Sequence, residues 1–310
     1  MNKVYRISVY DFNIVLSKLI IESKSMHMLF FKRTSLPIGL IGIIGFIVMT
    51  TITACNHFPY ATTNRIYKKH TKDLVTLLKE NPSLQTIDQL PKAAAWVGTT
   101  NFDLRKPNFV VIHHTAQNSC EQTLRTFTLE RSKVSAHYVI CKDGTIHHML
   151  NDYMRAWHGG IGSWGNNTDL NSSSIGIEID NNGFEPFEQA QINSLLQLLA
   201  QLKNKYQIPV DHFIGHSDIA PRRKVDPNIN FPWKTLANLG YGIWFEPDPN
   251  IQLQSGLTIK QALSLVGYET KDSIAAILAF KRHFRQDSSR LMNQADSSVL
   301  SQLIQAKLSN

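Results

Sequence analysis

Along the first part of the chain the clearest pattern is an uncharged apolar run from Leu36 to Ile52 behind Lys32 and Arg33, the layout of a secretory signal. The same run is long enough for a short membrane span. Residues 56–90 are polar, with a Lys68-Lys69-His70 cluster and Asn81-Pro82, and read as a tether or an N-terminal arm. From Phe109 onward, strand and helix periodicities alternate. Phe109 to His113 is a short apolar strand, and Glu121 to Glu130 a helix. His137–Cys141 and Thr145–Leu150 are two strands joined through Lys142-Asp143-Gly144, whose Asp-Gly pair suits a tight hairpin. Ile175, Ile177 and Ile179 alternate with Gly176, Glu178 and Asp180, so one strand face is apolar and Glu178 points the other way. Pro186 opens a helix with Ile192, Leu195, Leu196, Leu199, Leu202 and Tyr206 on one stripe. The pattern predicts an α/β fold, a mixed central sheet flanked by helices. After Trp244 the proline-punctuated stretch Glu246-Pro247-Asp248-Pro249-Asn250 reads as a linker. Residues 251–310 then read as a small three-helix C-terminal domain, with helices near 258–266, 272–284 and 297–307 and a buried stripe of Ile274, Ile277, Leu278 and Phe284.

Composition changes the picture at the N-terminus. The apolar run ends in Ile52-Thr53-Ala54-Cys55, which resembles the lipobox of bacterial lipoproteins and makes Cys55 the expected lipidation site. An uncleaved anchor is the alternative, and Met26 or Met28 are alternative starts. Residues 1–55 are thus an address, 56–90 a tether, and 91–245 the main domain. Formal charge is +8; residues 1–54 hold six basic and two acidic side chains, so their removal leaves +4. A mildly basic mature chain gives no support to nucleic-acid binding and is compatible with weak attraction to an acidic cell-wall polymer. Of three cysteines, Cys120 and Cys141 remain in an oxidising compartment, as a bridge or as two buried thiols.

The candidate chemistry lies in two segments. Gly215-His216-Ser217-Asp218-Ile219-Ala220-Pro221-Arg222-Arg223-Lys224-Val225-Asp226-Pro227 places an imidazole, an ammonium and a carboxylate on one short loop, and Val110-Val111-Ile112-His113-His114-Thr115 brings two histidines to a strand end. Two imidazoles and a carboxylate with one position left for water are the ligand set of a catalytic zinc site. His113 and His114 compete for the first ligand, since neighbours on a strand point to opposite faces. Glu178, on the polar side of its strand, is the candidate base. Lys224 lies two residues from Asp226. Trp157 and His158, ahead of a glycine-rich loop, are candidates for the substrate groove; His137, His147 and His148 are expected to be packed or exposed strand residues.

These segments resemble the zinc-dependent type 2 N-acetylmuramoyl-L-alanine amidases, nearest to the outer-membrane lipoprotein members of Gram-negative bacteria. The likeness covers roughly residues 90 to 245. It rests on His113, Ser135-Ala136-His137-Tyr138, Ala156-Trp157-His158, Ser174-Ile175-Gly176-Ile177-Glu178 and the loop quoted above. The resemblance implies hydrolysis of the amide between the muramic acid lactyl group and L-alanine of peptidoglycan or muropeptides. It implies one Zn2+ per chain held by His113, His216 and Asp226, with Glu178 as general base and Lys224 beside the developing oxyanion. His114 stands where the family usually has tyrosine, which is what favours His113 as ligand. The segment 275–284 looks like the central helix of peptidoglycan-binding three-helix domains. Lipidation with Asn56 after the cysteine implies the outer membrane, facing the periplasm. A recognition module without catalysis and a zinc hydrolase for another bond are the competing readings.

Overall fold

The computed structural model describes residues 59–79 and 99–309. The signal segment, Cys55 and Asn56 lie outside these residues. Among the described residues no helix is long and apolar enough to cross a membrane. The chain divides into two compact units, 1–92 and 93–310. In the first, the described part is one helix, α1 (Ala61–Lys79), with no buried residue. Residues 61–79 of the expected tether form this helix.

The second unit is built on a five-stranded sheet of order β3-β2-β4-β1-β5. Its strands are β1 (Phe109–His114), β2 (Tyr138–Ile140), β3 (Ile146–His148), β4 (Ser174–Ile179) and β5 (Phe213–Gly215). β2, β4, β1 and β5 run parallel, and β3 pairs antiparallel to β2 at one edge. The expected hairpin is therefore present, with strands shorter than predicted. Helix α2 (Cys120–Phe127) starts under the Ser119 cap, and Cys120 is disulfide-bonded to Cys141 at the end of β2. A single turn, α3 (Leu170–Ser173), leads into β4. Helix α4 (Gln189–Tyr206) begins later than Pro186, where Glu188 and Gln191 form a capping box, and ends at Gln207 in the left-handed conformation. The turn α5 (His216–Ile219) follows β5, and α6 (Trp233–Asn238) closes the loop beyond it.

The sheet is covered on both faces. Val110, Ile112, Ile175, Ile177 and Ile179 pack with Ile192, Leu195, Leu199 and Leu202 of α4. On the other face Phe109, Val111 and Ile214 pack with residues of α7 (Ile259–Val266), α8 (Ser273–Phe284) and α9 (Gln294–Leu308). The unbroken apolar run of β1, buried at every position, is the signature of a strand covered on both sides.

The three helices expected at 251–310 are present. The proline-rich stretch is present, but the helices after it share one apolar cluster with the sheet, and 93–310 form a single compact unit. The buried stripe is also rotated from the expected one. Ile274 is 46% exposed, and Ala276, Ile277, Ala279, Phe280 and Phe284 carry the contact.

Candidate metal centre

The site grows out of β-strand alternation. In the parallel pair β1–β4, His113 stands opposite Glu178, and Phe109 and Val111 stand opposite Ser174 and Gly176. All six residues therefore face one side of the sheet. The polar set Ser174, Gly176 and Glu178 runs up β4 beside His113 at the C-terminal ends of the strands. β5 ends one residue before His216, so the turn α5 delivers a second imidazole to the same end. The following loop returns as Asp226, held by a 2.7 Å bond from the Ser217 N–H to the Asp226 carbonyl.

His113, His216 and Asp226 offer ligand atoms that all lie within 4.8 Å of one another. The Asp226 Oδ2 is 3.0 Å from His113 Nδ1 and 2.9 Å from His216 Nδ1, and the two Nδ1 atoms are 2.9 Å apart. All three side chains are buried.

The far side of each ring is tied down. The Ser174 hydroxyl donates to the Leu170 carbonyl, so its oxygen accepts from His158 Nε2, 3.2 Å away. That leaves His158 Nδ1 as the acceptor for His113 Nε2–H, 3.1 Å away. His113 therefore carries its proton on Nε2 and presents an Nδ1 lone pair. His216 Nε2–H donates to the Gly159 carbonyl at 3.1 Å, so its Nδ1 is also a lone pair. The Asn171 side-chain oxygen fixes residues 158 and 159 by accepting from both backbone N–H groups. Gly176 makes room for this relay: a Cβ there would meet the His158 ring at 2.4 Å.

Electrostatics favours the same neutral forms for His113 and His158. Burial, reinforced by His216, lowers His113 to about 4, and burial beside the other imidazoles holds His158 well below its ordinary value. Two neutral imidazoles and one carboxylate, their lone pairs converging, are the donor forms a divalent metal takes. Among the described residues a second grouping, Cys120, Cys141 and His147, is a disulfide beside a histidine and offers no thiolate.

Glu178 Oε1 lies 4.0 Å from His113 Nδ1. Burial and then the nearby Asp226 push its carboxyl well above the usual range, with Lys224 offsetting part of the shift. His113, Glu178, His216, Lys224 and Asp226 open onto one groove of about 360 Å³, with Trp157 and Val225 on its apolar wall. His158 borders this groove, and its ring is turned into the relay behind His113. His114 also borders it but lies outside the ligand cluster, its buried Nδ1 without a hydrogen-bond partner. His137 is buried, its Nδ1 accepting from the Gly176 N–H and its Nε2 bonded to the Met154 carbonyl. His148 is half exposed and sits 3.2 Å from Asp152. Sequence reading gave no role to Ser174, Asn171 or Asp218. Asn171 carries no local signal, Ser174 stood only within a motif quoted for its resemblance, and Asp218 lay unassigned inside the loop quoted for its ligands.

Residues 103–229, which include every residue of this cluster, match the family described as N-acetylmuramoyl-L-alanine amidase. The amidase AmiD of Escherichia coli K12 is 33% identical over 210 residues, 57% of this chain and 74% of the relative. The 1,6-anhydro-N-acetylmuramyl-L-alanine amidase AmpD of Haemophilus influenzae is 38% identical over 103 residues, 33% of this chain and 56% of that protein. Among solved structures, E. coli AmiD in complex with anhydro-N-acetylmuramic acid-L-Ala-D-gamma-Glu-L-Lys matches with TM-score 0.58 and 28% identity over 70% of this chain and 93% of that one. AmpDh3 of Pseudomonas aeruginosa matches with TM-score 0.59 and 26% identity over 71% and 99%. With its residues 103–229 matching the family's model and 74% of the AmiD relative covered at 33% identity, this chain belongs to the N-acetylmuramoyl-L-alanine amidase family.

Proposed function

We propose that the chain is a zinc-dependent amidase that hydrolyses the bond between the lactyl group of N-acetylmuramic acid and L-alanine in peptidoglycan or its fragments, in cell-wall turnover and recycling. One zinc ion would be held by His113, His216 and Asp226. The observation that carries this reading is the convergence of two imidazole lone pairs and a carboxylate, with the opposite ring nitrogens occupied as donors. Such a set repels itself without a cation between its members. The muropeptide bound to the solved AmiD relative supports the substrate class.

Zinc there would make the scissile carbonyl more electrophilic and the attacking water more acidic. Glu178, at the rim of the same cluster, takes the proton from that water. A carboxyl held above its ordinary range keeps such a proton long enough to pass it to the leaving alanine amine. Lys224 faces the groove and places positive charge where the carbonyl oxygen becomes negative. Trp157 and Val225 give the groove an apolar wall against which the substrate is held.

The N-terminal pattern supports lipidation at Cys55 and a place at the outer membrane, facing the periplasm. Digestion of purified sacculi tests the activity. New L-alanine amino termini with free lactyl groups, found by mass spectrometry, are expected, together with one zinc per chain by elemental analysis. Cleavage at another bond, or none, overturns the activity. Globomycin-sensitive processing that is lost in Cys55→Ala is the expected result for the anchor, and equally soluble, unlipidated products from both versions would refute it.

A further inference from the structure

Asp218 is fully buried and two residues beyond a proposed metal ligand, and its side chain is bonded to Gly215, Tyr268 and His283. Its carboxylate collects three donors. Oδ2 accepts from the Gly215 N–H and from His283 Nδ1, each at 2.7 Å, and Oδ1 accepts from the Tyr268 hydroxyl at 2.7 Å. Gly215 belongs to β5, whereas Tyr268 and His283 come from the C-terminal helical region. His283 is itself fixed, stacked on Trp233 at 3.8 Å and on Phe284 at 4.0 Å. Tyr268 is 2% exposed and lies edge-on to Trp164 at 5.0 Å.

The turn that Asp218 anchors has no slack. A Cβ on Gly215 would sit 2.9 Å from Pro227 Cδ, and the Ser217 N–H holds the Asp226 carbonyl. Gly215 to Asp218 and Asp226-Pro227 therefore move as one piece, and that piece carries two of the three ligands.

We propose that the C-terminal helices are part of the scaffold of the metal centre: Tyr268 and His283 hold Asp218, and Asp218 sets the position of His216 and Asp226. Both are positioning residues. The inference rests on the metal reading given above and adds to it a task for residues 251–310 that is separate from contact with any polymer. A ligand set drawn from two chain segments binds a metal tightly only if its members are already in place. Loss of an outer support of this kind costs about tenfold or more in metal affinity.

The test uses the whole mature chain, with Tyr268→Phe and His283→Phe made singly. Each variant keeps an aromatic ring and removes one donor to Asp218. Zinc affinity is read by competition with a chromophoric chelator, ligand geometry by the visible spectrum of the cobalt-loaded protein, and fold integrity by the melting temperature of the metal-free chain. Val299→Ala, a cavity in the same helical cluster with no bond to Asp218, is the control. At least one donor variant should bind zinc about tenfold more weakly, with an altered cobalt spectrum, while Val299→Ala lowers the melting temperature and leaves zinc affinity unchanged. Wild-type protein that takes up no zinc overturns the metal reading and this one with it. If the wild type binds zinc and both donor variants stay within twofold of it, the clamp alone is overturned. An equal loss of affinity in Val299→Ala also overturns it, because general softening then explains the effect.

Discussion

A proton on Nδ1 of His113 would block the convergence of lone pairs, and two residues away from the ligand set decide where that proton goes. His158 accepts from His113 Nε2–H, and Ser174 accepts from His158. His158→Phe keeps an aromatic ring but removes the acceptor, so zinc affinity should fall roughly 10- to 100-fold, as chelator competition would show. Affinity within twofold of wild type would take His158 out of the relay. Glu178→Gln cannot accept a proton yet fills the same space. Zinc content should be unchanged and kcat down by about 10² to 10⁴, the contribution of a positioned acid or base, in a muropeptide assay. His137 bears on stability instead. Burial lowers it to about 4 from the ordinary 6.5, and its Nδ1 must stay unprotonated to receive the Gly176 N–H. The unfolded chain therefore takes up this proton first as pH falls. The stabilising contribution is present above pH 6.5 and is lost as pH falls toward 4, on the order of 3 kcal/mol at roughly 1.4 kcal/mol per pKa unit. In urea unfolding of the metal-free protein, His137→Gln should flatten the pH dependence between 6.5 and 4 by about one proton; an unchanged slope would contradict this assignment.

At the scale of elements, β4 does the most. Its apolar side, Ile175, Ile177 and Ile179, is sealed by α4, while its other side places Ser174, Gly176 and Glu178 in line with Phe109, Val111 and His113 of β1. The sequence alternation already separated these two sets. It could not show that Gly176 is there to admit the His158 ring, because that ring arrives from a loop nearly twenty residues earlier. Gly176→Ala should displace His158, with a loss of about 1–3 kcal/mol for forcing extra volume into a packed site and a parallel loss of zinc affinity. Calorimetry and chelator competition would show both, and a variant with native stability would mean that the ring has room to spare. The helix boundaries were legible to within a few residues because caps are local. The buried stripe of α8 was not, since Ile274 and Ile277 look alike until a neighbour selects one face.

At the scale of the whole molecule, the C-terminal helices close the second face of the sheet. Cutting the chain after residue 250 would expose Phe109, Val111, Ile214 and Ile219, all at most 6% exposed in the intact fold. It would also remove Tyr268 and His283 from Asp218. The truncated protein should therefore unfold cooperatively at lower denaturant concentration, bind the hydrophobic dye ANS and lose zinc. A soluble fragment with native zinc content and near-normal hydrolysis of a small muropeptide would instead mark these helices as an appendage. The Cys120–Cys141 disulfide, one of two readings left open by composition, ties α2 to the end of β2.

By itself, the sequence determined what local chemistry determines. Alternation set the strands, caps set the helix ends, and the spacing of His216, Lys224 and Asp226 marked a loop rich in ligand and charge. Motif resemblance then selected His113 over His114. Tertiary structure decided what depends on which distant residues meet. The tautomer of His113 is set by His158 and Ser174 in separate segments. The elevated carboxyl of Glu178 comes from burial, and the place of residues 251–310 in the core comes from an apolar sheet face that needed covering. Such effects come from removing water and bringing together groups far apart in the chain, and neither event has a signature within a short window of sequence.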